Sequence, residues 1–81
     1  MYLEIYTPDQ KIFEGEVSSA TFPGADGSFQ ILDNHAPLIS ALAKGNIRYL
    51  EKKQESEVSI DGGVVEVLQN RVVVLAESVV K

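Results

Sequence analysis

The chain carries a single histidine, His35, and no cysteine, so the search for chemistry starts there. Asp33 lies two positions earlier and could orient an imidazole, with a serine as the nucleophile. Neither Ser28 nor Ser40 sits in a glycine-flanked elbow, and a lone loop histidine reads as a backbone or partner contact rather than a catalyst. Glu14 and Glu16 fall on one side of a strand, but two carboxylates at that spacing are ordinary on a wet strand. Nine or ten short strands leave little room for the deep cleft that paired acid and base catalysis needs. Gly24-Ala25-Asp26-Gly27 and Asp61-Gly62-Gly63 are not followed by Lys-Ser/Thr and open no helix, so neither cradles phosphate. Asp26, Asp33 and Asn34 lack the order of a calcium loop, and no Cys/His spacing suits zinc. No catalytic residue, metal ligand or cofactor is expected. An alternative function is a free-standing binding module for a sugar or small ligand, if Tyr2, Tyr6 and Tyr49 come together on one face.

These residues must be held by strands. Tyr2 to Tyr6 alternates with a period of two, Thr7-Pro8-Asp9-Gln10 turns, and Lys11 to Glu14 returns, with Gly15 as the expected bulge. Glu16 to Phe22 reads as a strand stopped by Pro23. Phe29 to Leu32 is a short apolar run between two loops rich in turn formers, the second being Asp33 to Pro37. Leu38 to Ala43 is short and closed by Gly45, which favours a strand over a helical turn, and Asn46 to Glu51 alternates again. Lys52 to Glu57 reads as a charged hairpin tip. Asp61-Gly62-Gly63 carries a hairpin signal between Val58–Ile60 and Val64–Leu68. Gln69-Asn70 turns into Arg71–Glu77, where Val72 to Leu75 are all apolar and expected to be buried on both faces. Ser78 to Lys81 reads as a fraying end. The fold class is all-β: one domain over residues 1–81, with nine or ten short strands in a sandwich or flattened barrel.

Composition narrows the partners. Seven basic against twelve acidic residues give a net charge of −5, which disfavours nucleic acid and anionic lipid. The longest apolar runs fall far short of a spanning helix, so direct membrane insertion is not expected. The absence of cysteine suits a reducing compartment. From the residues alone, a binding or assembly module is the expected class.

The order of features resembles one family. Thr7-Pro8 is followed by Ile12-Phe13-Glu14-Gly15-Glu16-Val17, then Pro23-Gly24-Ala25-Asp26-Gly27, then Ile31-Leu32 with Asn34-His35-Ala36-Pro37-Leu38, then Gly45-Asn46-Ile47-Arg48. Gly62-Gly63-Val64-Val65-Glu66-Val67 and Val72-Val73-Val74-Leu75-Ala76-Glu77 complete the series. Together they resemble the N-terminal β-sandwich domain of the epsilon subunit of the rotary F-type ATP synthase. The resemblance implies a flattened ten-stranded sandwich of two sheets and a non-catalytic rotor-stalk subunit that grips the gamma subunit, rests on the polar loops of the c-ring and meets the larger alpha/beta assembly indirectly. It implies a peripheral position at the cytoplasmic face of the cell membrane. By the same resemblance the ring-facing residues are Asp26, Gly27 and Ser28, and the gamma-facing residues are Thr7, His35, Ala36, Pro37, Leu38, Ile39 and Ser40. Ser28 stands where the family often has an acidic residue, Gln30 where it often has glycine, and Asp33 where proline is frequent. Relatives continue into a C-terminal helical hairpin, which the residues after Glu77 do not form.

Overall fold

Alternation of apolar and polar residues at a period of two sends every second side chain to one interior, and the strands follow from it. The computed structural model describes residues 1–80. It contains nine strands: β1 (Tyr2–Tyr6), β2 (Lys11–Glu16), β3 (Ser19–Gly24), β4 (Gly27–Leu32), β5 (Leu38–Leu42), β6 (Gly45–Glu51), β7 (Gln54–Ile60), β8 (Gly63–Leu68) and β9 (Arg71–Ala76). No helix occurs among the described residues.

The strands form one hydrogen-bonded path, β2-β1-β9-β8-β5-β3-β6-β7, with β4 on the other edge of β3. The structure therefore has nine strands where ten were expected, and a continuous curled mixed sheet rather than two separate ones. Two halves are still evident in the pairing. β5 meets β3 through the single pair Leu42 and Gly24, reinforced by Ala25 N–H to Ala41 O at 3.0 Å and Ala43 N–H to Pro23 O at 2.8 Å. At that corner the sheet folds back on itself. A second tie joins Ile60 to Val79, flanked by Asp61 N–H to Ser78 O at 3.1 Å and Val80 N–H to Ser59 O at 2.9 Å. Ser78 to Val80 are thus anchored rather than frayed, and Lys81 lies outside the described residues. β1 and β9 run parallel, Tyr2 opposite Arg71 through Tyr6 opposite Leu75.

The core fills the space between the halves. Leu3, Ile5, Phe22, Ile31, Ile47, Ile60, Val65, Val67, Val72 and Val74 are fully buried, each worth about 1.5–3 kcal/mol of transfer from water. Phe22 leans on Phe29 with ring centroids 5.7 Å apart, and Phe13 on Tyr49 at 4.3 Å.

Several turns differ from expectation for local reasons. Gly15 sits in regular register opposite Leu3, and the irregularity in the β1–β2 ladder lies between Ile5 and Tyr6. Pro23 lies inside β3 instead of ending it, with its carbonyl turned to Ala43 at the corner. The Lys52 to Glu57 tip shrinks to Lys52 and Lys53, both at positive φ, and β7 begins at Gln54. Gln69 and Asn70 do form the turn between β8 and β9, at φ of 50° and 60°.

Asp61-Gly62-Gly63 is no hairpin, since β7 pairs with β6 while β8 pairs with β5 and β9. Gly63 instead serves a close approach of β8 to β9, where it faces Ala76. A Cβ on Gly63 would collide with the Leu75 carbonyl and lie 2.9 Å from the Ala76 Cα, with φ at +153°. Gly27, at φ +127°, has nothing within 4 Å of the corresponding point. Gly63→Ala is therefore expected to cost about 2–3 kcal/mol in urea unfolding, and Gly27→Ala about 1 kcal/mol from backbone strain alone. Equal costs would contradict the close contact of Gly63 with β9.

Candidate contact surface

Because the interior takes one side of each strand, the other sides of β5, β8, β9 and β1 build an outer face. Pairing places Ile39 beside Glu66, Glu66 beside Val73, and Val73 beside Glu4. The next row runs Ala41, Val64, Leu75, Tyr6, and a third runs Leu68, Arg71, Tyr2. Four large apolar side chains on this face stand in water: Ile39 is 71% exposed, Leu75 58%, Leu68 52% and Val64 43%. The Val72 to Leu75 run is thus buried on one side only. Exposed apolar side chains gathered on one sheet face are a feature that docking surfaces share.

The outer face of the other half is different in kind. Arg48 pairs with Glu57 at 2.8 Å, and Ser59 donates to Asn46 at 2.6 Å. Thr21, Gln30 and Ser19 complete a polar lining. Leu32, opposite Ser19, is the one large apolar side chain standing in water on this side, at 54% exposed.

At the β1 edge of the apolar face, Glu4 is covered by its neighbours. It accepts from Arg71 Nε at 2.9 Å and from the Tyr6 hydroxyl at 2.7 Å. Arg71 and then Tyr6 hold its carboxyl below the ordinary value of 4.5. The Arg71 guanidinium also lies 5.7 Å over the Tyr2 ring. Tyr2 in turn donates to Glu14, which also receives Lys11. The Glu14 carboxylate pushes the Tyr2 phenol up to about 12, with burial adding to the effect. The Glu14 and Glu16 pair is therefore tied to neighbours, since Glu16 meets the terminal ammonium of Met1 at 3.2 Å.

The loops singled out in the sequence fall at opposite ends of β4 and β5. Asp26, Gly27 and Ser28 lie at the tip of the β3–β4 hairpin, where Gly24 faces Gly27. Gly24 keeps a negative φ, and a Cβ there would lie 2.8 Å from the Phe29 ring, so close packing is what it serves. His35, Ala36 and Pro37 form the loop before β5, roughly 20 Å from that tip by strand rise. Leu38 packs against the core and Ser40 is half-buried, whereas Ile39 points outward. Thr7 closes the β1–β2 connection, its N–H donating to Gln10 O at 2.9 Å.

The Asp33 and His35 pairing does not form. Asp33 accepts from the Met1 ammonium at 2.5 Å, which holds its carboxyl below the usual value, and His35 Nδ1 lies 2.7 Å from the Ala36 carbonyl. The three tyrosines do not share a face either. Tyr2 and Tyr6 lie on the outer side of β1, while Tyr49 is buried against Phe13. The apolar face was the feature missed from sequence. Its signal was present in the unbroken apolar run of β9, which only one side of the strand can bury.

The whole chain, residues 1–81, matches the ATP synthase delta/epsilon chain beta-sandwich domain family. The chain belongs to that family. It is 46% identical over 78 residues to the ATP synthase epsilon chain of Chlorobium limicola, covering 95% of this chain and 89% of that one. It is 42% identical over 77 residues to that of Maridesulfovibrio salexigens, where the match spans 54% of the relative's length. The fold is shared with a chain in the Euglena gracilis mitochondrial ATP synthase structure of OSCP, F1 and c-ring, at a TM-score of 0.89 and 22% identity, covering 96% of this chain and 51% of the other. A chain in the Tetrahymena thermophila central stalk and c-ring structure matches at 0.82 and 18% identity, covering 99% and 65%. An epsilon chain is a non-catalytic subunit, so contact surfaces rather than reacting groups are what its structure must explain.

The epsilon-type face carries two titration signatures. The raised Tyr2 phenol contributes stability that is full below pH 10 and lost as pH rises through about 12. NMR titration of the Tyr2 ring in Glu14→Gln is expected to bring the value back toward 10; an unchanged value would contradict the Glu14 assignment. The lowered Glu4 carboxyl contributes stability that is full above about pH 4.5 and lost as pH falls through its folded value. The stability gap between the wild-type chain and Arg71→Met is expected to hold steady above that pH and to narrow below it.

Proposed function

We propose that this chain is a rotor-stalk subunit of an F-type ATP synthase, gripping the gamma subunit with the outer face of β5, β8, β9 and β1 and meeting the c-ring with the tip of the β3–β4 hairpin. The observation that carries the reading is that apolar face. Burying Ile39, Val64, Leu68 and Leu75 against a partner gains about 25 cal/mol for each Å² removed from water, and no part of the described chain covers them. The gamma-facing set is Thr7 and His35 to Ser40, with Ile39 as the side chain that meets gamma. Leu38 and Ser40 turn inward and support it.

The ring-facing set is Asp26, Gly27 and Ser28. A tight, polar tip suits the polar loops that cap a c-ring, and its distance from the His35 loop lets one subunit touch ring and stalk together. Torque then passes through a rigid β scaffold rather than through a flexible linker. No described helix is long and apolar enough to cross a membrane, so the chain sits at the cytoplasmic face of the membrane by holding gamma and the ring. Contact with the alpha/beta assembly is indirect.

Binding to the gamma subunit from the same source tests the assignment. Ile39→Asp is expected to weaken it by about 2 kcal/mol or more, the loss typical of a central anchor. Asp26→Lys is expected to leave gamma binding unchanged and to weaken retention on membranes carrying the c-ring. Wild-type gamma binding by Ile39→Asp would move the interface elsewhere.

A further inference from the structure

Glu66 stands in the middle of the apolar face. Its cross-strand neighbours are Ile39 and Val73, and Val64 and Leu68 flank it on the same side of β8. Among the described residues no cation or hydrogen-bond donor meets its carboxylate, whereas Glu4, two strands away in the same row, is held by Arg71 and Tyr6. Two shallow depressions meet at Glu66 and Leu68, one running toward Glu4 and Arg71, the other toward Pro37 and Ile39.

We propose that Glu66 receives an arginine or lysine side chain that the docking partner carries at the centre of an apolar patch of its own. The inference rests on the gamma-docking reading of this face and names the chemistry of the partner there. Covering the apolar neighbours strips water from Glu66, and a carboxylate desolvated without a counter-charge opposes docking strongly. Arg71, the cation that lines the same depression, is committed to Glu4 and to the Tyr2 ring. The partner must supply the counter-charge. An arginine fits best: its planar fork matches a carboxylate, and its stem lies along apolar surface such as Ile39 and Leu68 provide. A second copy of this chain does not fit, since two such faces would bring carboxylates together.

Gamma binding by the full chain carrying Glu66→Gln, Glu66→Lys or Ile39→Asp, each first checked for an unchanged thermal midpoint, tests the proposal. Glu66→Gln is expected to weaken the complex on the order of thirtyfold or more and Glu66→Lys further, as for one partner stripped from a desolvated charge pair. Reversing the facing gamma cation to Glu is expected to restore binding to Glu66→Lys. Wild-type or tighter binding by both Glu66 variants, with Ile39→Asp impaired, overturns the ion pair and leaves the docking face standing. Wild-type binding by all three variants overturns the docking face itself.

Discussion

Each strand of this chain has two sides, and a molecule this small has one interior. Everything else follows from that constraint. The side of β1, β5, β8 and β9 that meets Phe22, Ile31 and Ile47 makes the core, and whatever is apolar on the other side must stay wet or find a partner. The two outer faces resolve this differently. One is mostly polar, with the Arg48–Glu57 ion pair, the Ser59–Asn46 hydrogen bond and one large exposed apolar side chain, Leu32; the other leaves Ile39, Val64, Leu68 and Leu75 uncovered. An asymmetric pair of faces suits a subunit that lies between other subunits better than one that works alone.

The halves that bear these faces are held at a corner of one residue pair and by a bridge at Val79. Gly24 and Gly63 pack where a Cβ would strike the adjoining strand, β4 for Gly24 and β9 for Gly63, so each ladder is close-packed within its own half.

Much of the fold was legible because period-two patterning and turn residues act locally. Gln69-Asn70 turned as expected, and Leu38–Leu42 formed a strand in spite of its helical spacing. What failed was long-range. Asp61-Gly62-Gly63 has hairpin composition, yet whether two neighbouring strands pair depends on where each finds a better partner, which no short window records. Ser78 to Val80, read as fraying, are instead held to β7 by a bridge between Ile60 and Val79, again a long-range contact. The uncovered face was not legible from residue chemistry. His35, Asp33 and the tyrosines drew attention by type, while Glu66 and Leu75 became informative only when strand register placed them on one uncovered face.

Methyl and amide NMR of the isolated chain, with and without its gamma subunit, tests the docking face most directly. Expected are shifts or broadening at Ile39, Val64, Leu68 and Leu75 together with Glu66, and silence across Thr21, Gln30, Arg48 and Glu57. Perturbation confined to that polar set, with the four apolar side chains unchanged, would contradict the assignment of the face.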